Sequence, residues 1–180
     1  VGAEHGLNIA DVILSNATLQ SVDTYEAYSD TLTAVDSIAT VSMNILLSSL
    51  TSSNITRHRS LLFNESSFIA SRVASALDTY GSGVRRSLIE GQRGNQILRK
   101  SFQQITEVFT SSVNNEDISM AVPQSFAKTS AGLLPSSLQF HRNSTRHPSR
   151  SLKVSLSSIR SKLYDNGNYN SDVLQMAIDG

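Results

Sequence analysis

Hydroxyls and histidines are the side chains with which this chain could do chemistry. Serines are abundant, and the histidines are His5, His58, His141 and His147. Nucleophilic catalysis needs a hydroxyl beside a base that is itself oriented by a third group. Each histidine lies in a polar segment and no Gly-x-Ser-x-Gly elbow is present, so the spacing predicts exposed loop histidines. His141 and His147 stand six residues apart without Cys or carboxylates nearby, and a zinc centre would have to be assembled from distant segments. Gly91-Gln92-Arg93-Gly94 lacks the preceding strand and following Lys of a phosphate loop and reads as a turn. Residues 165–172 carry oxygen donors around Gly167, but not the Asp/Asn alternation and closing Glu of an EF-hand. Tyr25 and Tyr28 are read as core or rim aromatics rather than a ligand cage. The expectation is a non-enzyme without catalytic residue, metal or cofactor.

Modification chemistry is a stronger candidate. Four Asn-x-Ser/Thr acceptor triplets begin at Asn16, Asn54, Asn64 and Asn143. A chain this rich in Asn, Ser and Thr yields about three such triplets by chance, so their number discriminates little. Position says more, because three of the four fall in expected loops or helix starts, and Asn54 and Asn143 are the best placed.

Composition narrows the class. The 180 residues, 39% of them apolar, suffice for one core or two small neighbouring ones. Net charge is zero, yet Glu4, Asp11, Asp23, Glu26, Asp30 and Asp36 all precede Arg57, the first basic residue, while cations gather at residues 85–100 and 142–162. Such asymmetry implies attraction between the halves or solvated faces. Aromatic residues are too sparse in the basic stretches to stack bases, so nucleic acid is not expected. Without Cys there is neither a disulfide framework nor thiolate chemistry. No apolar run approaches the roughly 20 residues that cross a bilayer, and the start lacks the layout of a signal peptide. Opening on Val1-Gly2-Ala3 without Met, the chain reads as a piece of something longer.

The elements that must position these residues follow from hydrophobic period. A short helix is predicted over residues 8–19, and a long amphipathic one after the capping-box spacing of Asp23 and Glu26, ending in Thr51-Ser52-Ser53-Asn54. Asn64 or Ser66 is expected to cap the next, which carries Ile69, Val73, Leu77 and Tyr80 and stops at Gly81 and Gly83. One or two helical turns are expected within residues 82–94. The stripe Leu98, Phe102, Ile105, Phe109 and Val113 predicts a further helix over 95–113, and the three long helices would share a core of Leu32, Val35, Ile69, Val73, Leu77, Leu98, Phe102 and Ile105. After Asn114-Asn115, Pro123, Pro135 and Pro148 punctuate short apolar groups at 118–122, 133–134 and 138–140, a polar loop over 141–150, and alternating strands at Leu152 to Leu156 and Leu174 to Ile178 joined through a turn at 165–168. The expected architecture is α+β: a helical bundle over 1–115, then a partial antiparallel β-sandwich over 116–180 that ends partway through its β unit or borrows a partner.

Leu133-Leu134-Pro135-Ser136-Ser137-Leu138, then Val154-Ser155-Leu156-Ser157-Ser158-Ile159, Leu163-Tyr164-Asp165-Asn166 and Ser171-Asp172-Val173-Leu174-Gln175-Met176-Ala177-Ile178, all behind a helical block, resemble the GAIN domain of polycystin-family proteins and adhesion receptors. The resemblance spans nearly the whole chain and implies a helical subdomain packed on a β-sandwich just outside a membrane. It further implies a glycosylated, non-catalytic region on the extracellular side of a plasma or ciliary membrane, with a structural and interaction role. The implied partners are other extracellular segments of the same protein or a partner protein, with the membrane reached only through segments outside this chain. Departures are plain. The His-Leu-Ser/Thr cleavage motif is missing, since His58 and His141 precede Arg and His147 precedes Pro148, and the bracing cysteines are absent, so no autoproteolytic residue carries over. The competing expectation is a soluble helical interaction module, without membrane association, whose C-terminal strands are only ordered loops.

Overall fold

A computed structural model describes residues 6, 8–10, 12, 28–50, 55–110, 117–141, 151–160 and 172–179. The fold is α+β, with helices leading into antiparallel strands. Helix α1 spans Ser29–Leu50 and α2 spans Ile55–Ser87. Both follow from apolar residues at three-to-four-residue intervals. In α1 these bury Leu32, Val35 and Ala39, and in α2 Ile69, Val73, Leu77, Tyr80 and Val84. Residues 8–10 are also helical, and Ala10 joins the same core.

Helix α2 is longer at both ends than the sequence predicts. It begins at Ile55, so Asn64 and Ser66 lie inside the helix rather than at its start. It also runs through Gly81 and Gly83 to Ser87, which absorbs part of the turn expected over 82–94. The reason is packing against strands. At Gly81 a Cβ would lie 3.0 Å from both the Gln104 amide nitrogen and the Ser155 hydroxyl, so the missing side chain lets the helix lie close on the sheet. Continuation buries Val84, and Arg85 and Arg86 complement the negative end of the helix dipole.

The helix expected over 95–113 does not form. Residues Asn95–Leu98 are strand β1 and Phe102–Phe109 strand β2, paired antiparallel with Ile97 opposite Gln104. The helical half therefore ends at Ser87, and the change of period falls before Asn95 rather than at residue 114. Gly94 makes the entry to this hairpin: a Cβ there would come within 2.6 Å of the Thr106 carbonyl oxygen.

Strand β3 (Asp117–Ala121), the short helix α3 (Phe126–Ser130), β4 (Ser137–His141), β5 (Leu152–Ile159) and β6 (Val173–Asp179) complete the chain order. Ser125 begins α3, accepting from the Lys128 amide, and Gly132 ends it at φ 70°, its amide bonding to Thr129 O while Leu133 N reaches Lys128 O. That is a Schellman stop. Of the three short apolar groups expected as strands and loops, 118–122, apart from Val122, and 138–140 fall in β3 and β4, while Leu133 and Leu134 leave this stop as exposed loop residues.

Four strands form one sheet in the order β1-β2-β5-β6, while β3 and β4 pair as a separate two-stranded sheet. Phe102 and Ile159 point to the helices, with Gln104, Thr106, Ser155 and Ser157 on the same face, and join Leu32, Val35, Leu77 and Val84 in one core. The opposite face presents Ile105, Val154 and Leu156 to Ile118, Met120 and Val122 in a second core. Six of the eight residues predicted to share a core do so; Ile105 belongs to the second core, and Leu98 is 40% exposed. Both depart for one reason, which is that strand residues alternate faces and Leu98 sits on an edge strand.

Candidate functional site

Strand β6 closes the sheet order, so one of its edges is unpaired among the described residues. On its other side it pairs with β5 along its length, from Ile159↔Val173 to Lys153↔Asp179. Leu174, Met176 and Ile178 stand opposite Ser158, Leu156 and Val154, on the face that β3 and β4 cover farther in. That cover stops short of β6, and the three side chains remain 38%, 40% and 44% exposed. From Val173 to Ile178 the strand carries no charge and no Pro. Edge strands commonly use charge, Pro or brevity to discourage further pairing, and the four-residue β1 at the opposite edge is short. Up to Ile178 β6 has none of these features, and the charge of its last residue, Asp179, is turned to Arg85 of α2. Chemically it can accept another extended segment, through backbone bonds at the edge and apolar contact on one face.

The other face of β6 is tied to α2. Arg85 is 4% exposed, and its Nε donates to the Asp179 carboxylate at 2.8 Å, with Asp78 3.8 Å from another guanidinium nitrogen. Nearby, the Gln104 amide donates to Leu77 O at 2.9 Å and to the Ser157 hydroxyl at 2.8 Å, and the Thr106 and Ser155 hydroxyls lie 2.9 Å apart. Arg85 Nη1 and the Gln104 amide oxygen have no partner. This polar file fixes the height of α2 over β2, β5 and β6. At the start of β6, Asp172 accepts from the Ser158 hydroxyl at 3.3 Å and lies 3.8 Å from Lys128 of α3.

Of the six early acidic residues only Asp30 and Asp36 are among the described residues, and Asp36 forms an anchor. Asp36 of α1 accepts from the Ser101 amide at 2.8 Å and from the Ser101 hydroxyl, so an N-terminal carboxylate holds the β1–β2 turn. Burial raises the pKa of Glu107 on β2 above its ordinary value.

The residues singled out in the sequence are not brought together. Asn16, Asn54 and Asn143 lie outside the described residues, as do His5 and His147, and Asn64 and His58 lie within α2. His141 is the last residue of β4 rather than a loop residue, and its Nδ1 lies 2.8 Å from the Asp117 carboxylate on the facing strand, both exposed. Gly91, at φ 81°, lies in a turn, with Gln92 N bonded to Ile89 O. Tyr28 packs against the helical core, and Tyr25 lies outside the described residues. Among the described residues no group of three or more His, Asp or Glu could hold a metal ion, and no helix is long and apolar enough to cross a membrane. Residue-type reasoning missed Arg85 and Gln104, because a buried Arg in a Gly-rich helix end and a Gln in a strand carry no local signature. No known family pattern and no curated protein matches this sequence.

Proposed function

We propose that this chain is a non-catalytic, extracellular, GAIN-like region of a larger membrane protein, polycystin-like or of the adhesion-receptor type, with a structural and interaction role. The observation that carries the reading is β6: a seven-residue strand, tied to α2 by Arg85, with an open edge and a half-covered apolar face. A helical layer packed on a sheet whose last strand is ready to pair is the arrangement the resemblance implies, with a further extended segment of the same parent protein as the occupant. In the alternative, a soluble helical interaction module, the C-terminal strands are only ordered loops, and against that part of it β5 and β6 pair as strands.

One experiment on the longer parent protein tests both parts. Expressed in a secretory host, it should show a mass shift removable by an N-glycosidase, with Asn54 and Asn143 occupied most fully. Its β6 amides should also exchange more slowly than those of the 180-residue chain alone. An unmodified parent, or β6 exchange that is identical in both forms, overturns the reading.

A further inference from the structure

A cleft of about 180 Å³ lies between the start of α1, the C-terminal part of α2 and the β1–β2 hairpin, lined by Ser29, Leu32, Tyr80, Asn95, Ile97 and Arg99 among others. Its space far exceeds the 10–15 Å³ or so of probe volume that one water needs, so it can take a group of several heavy atoms. Its polar lining is rich in donors. Arg99 Nη2 donates to the Ser29 hydroxyl at 2.8 Å, which leaves that hydroxyl's own proton to donate onward. Arg99 Nε is buried and has no partner. The Asn95 side-chain oxygen accepts from the Tyr80 hydroxyl at 3.4 Å, so its amide hydrogens are left for another acceptor.

Charge reinforces the donor set. Among the described residues no carboxylate pairs with Arg99. Asp36, on the same helix as Ser29, is already committed to the backbone and hydroxyl of Ser101. A guanidinium without a counter-charge and with a desolvated N–H unmet is an incomplete arrangement, since a buried donor left unpaired costs more than an average hydrogen bond returns. Arg99 Nη1 and Nη2 are met by Leu98 O at 3.2 Å and by Ser29 O and its hydroxyl, so what the guanidinium lacks is a counter-charge, which an anion in the cleft would supply. We infer that this cleft binds a compact oxyanion, a phosphate or carboxylate group, drawn by the charge of the Arg99 guanidinium and held by the Ser29 hydroxyl and the Asn95 amide. The inference is independent of the role assigned to β6.

The test is titration of the folded chain with inorganic phosphate and, separately, with acetate at constant ionic strength set by chloride, followed by NMR shifts of the Arg99 Nε–H and Asn95 side-chain amide. Saturable shifts at both groups with phosphate or acetate are expected, and which anion binds more tightly separates a tetrahedral from a planar ligand. Arg99→Gln should weaken binding by about tenfold or more and Arg99→Lys by less, because the lysine keeps charge but loses the planar fork. Asn95→Asp places a like charge in the cleft without touching the Arg99–Ser29 contacts, and should weaken binding about tenfold even if Arg99→Gln fails to fold. Shifts that do not saturate, that chloride reproduces, or that survive Asn95→Asp unchanged would overturn the inference.

Discussion

Arg85 illustrates how a buried cation distributes risk unequally between partners. It is nearly fully buried, whereas Asp179 is about half exposed, with a side-chain exposure of 49%. Removing the carboxylate strands a desolvated guanidinium, while removing the guanidinium leaves a carboxylate that water can solvate. Asp179→Ala is therefore expected to cost about 1–3 kcal/mol and Arg85→Met, which fills the same volume with apolar atoms, less. Urea denaturation midpoints of the two variants decide it; an equal or larger loss for Arg85→Met would refute the asymmetry. Glu107 gives a pH signature of definite sign. Because burial raises its pKa in the folded state above that of the unfolded chain, the stability linked to its protonation is fully present below the ordinary carboxylate pKa and lost as pH rises through the raised value. Glu107→Gln should be relatively more stabilising near neutral pH than in acid. A difference between variant and parent that does not change with pH would contradict this account.

At the scale of elements, the packing assigns different costs to residues that look alike in the sequence. Leu77 and Phe102 are fully buried between α2 and the sheet, and truncation of either to Ala should cost about 2–5 kcal/mol through lost transfer energy and a residual cavity. Leu98, on the same apparent stripe, is 40% exposed, and Leu98→Ala should cost much less. Thermal midpoints for the three variants test this; similar shifts in all three would mean that the strand assignment of residues 95–109 is wrong. That assignment was the least legible in the sequence. Leu98, Phe102, Ile105 and Phe109 recur at helical intervals, but Leu98 and Phe102 belong to different strands and Phe102 and Ile105 to opposite faces. Strand β2 is covered on both faces, so alternation is erased, and buried Gln104 and Thr106 dilute the apolar signal further. The β-branched residues Ile105, Thr106 and Val108 behind Gly94 were the available hint. Helix α1 and the core face of α2 were legible because one apolar stripe faces one core. So were β5 and β6, because their alternating residues run unbroken.

At the scale of the molecule, two cores share the central sheet, and the second does not extend under β6. The candidate site was accordingly legible only as a shortage of strands, since which edge stays open depends on strand order, which no local pattern encodes. Isolated chains should associate weakly through β6. Met176→Lys would place a charge in the middle of that apolar row and should reduce concentration-dependent sedimentation, with little change in thermal midpoint because Met176 is already 40% exposed. If the variant associates as strongly as the parent, the β6 face is not the adhesive surface.

The insertion of β3, α3 and β4 between the neighbouring strands β2 and β5 also bears on how the chain acquires its shape during synthesis. The Gln104–Ser157 bond joins residues 53 apart, and the Arg85–Asp179 bond residues 94 apart. As the polypeptide emerges, α2 is complete long before the strand that roofs its apolar face exists. Loop closure of this span must precede any reward from β2–β5 contact, so assembly of the sheet should be the slow step, following early pairing of α1 with α2. Through that interval Phe102 and the Leu77–Val84 face stand uncovered, and at the elongation rate of about 5–20 residues per second the exposure lasts for seconds. The nascent protein thus has a window in which its greatest need is shielding by a chaperone, and that need ends when Ile159 arrives.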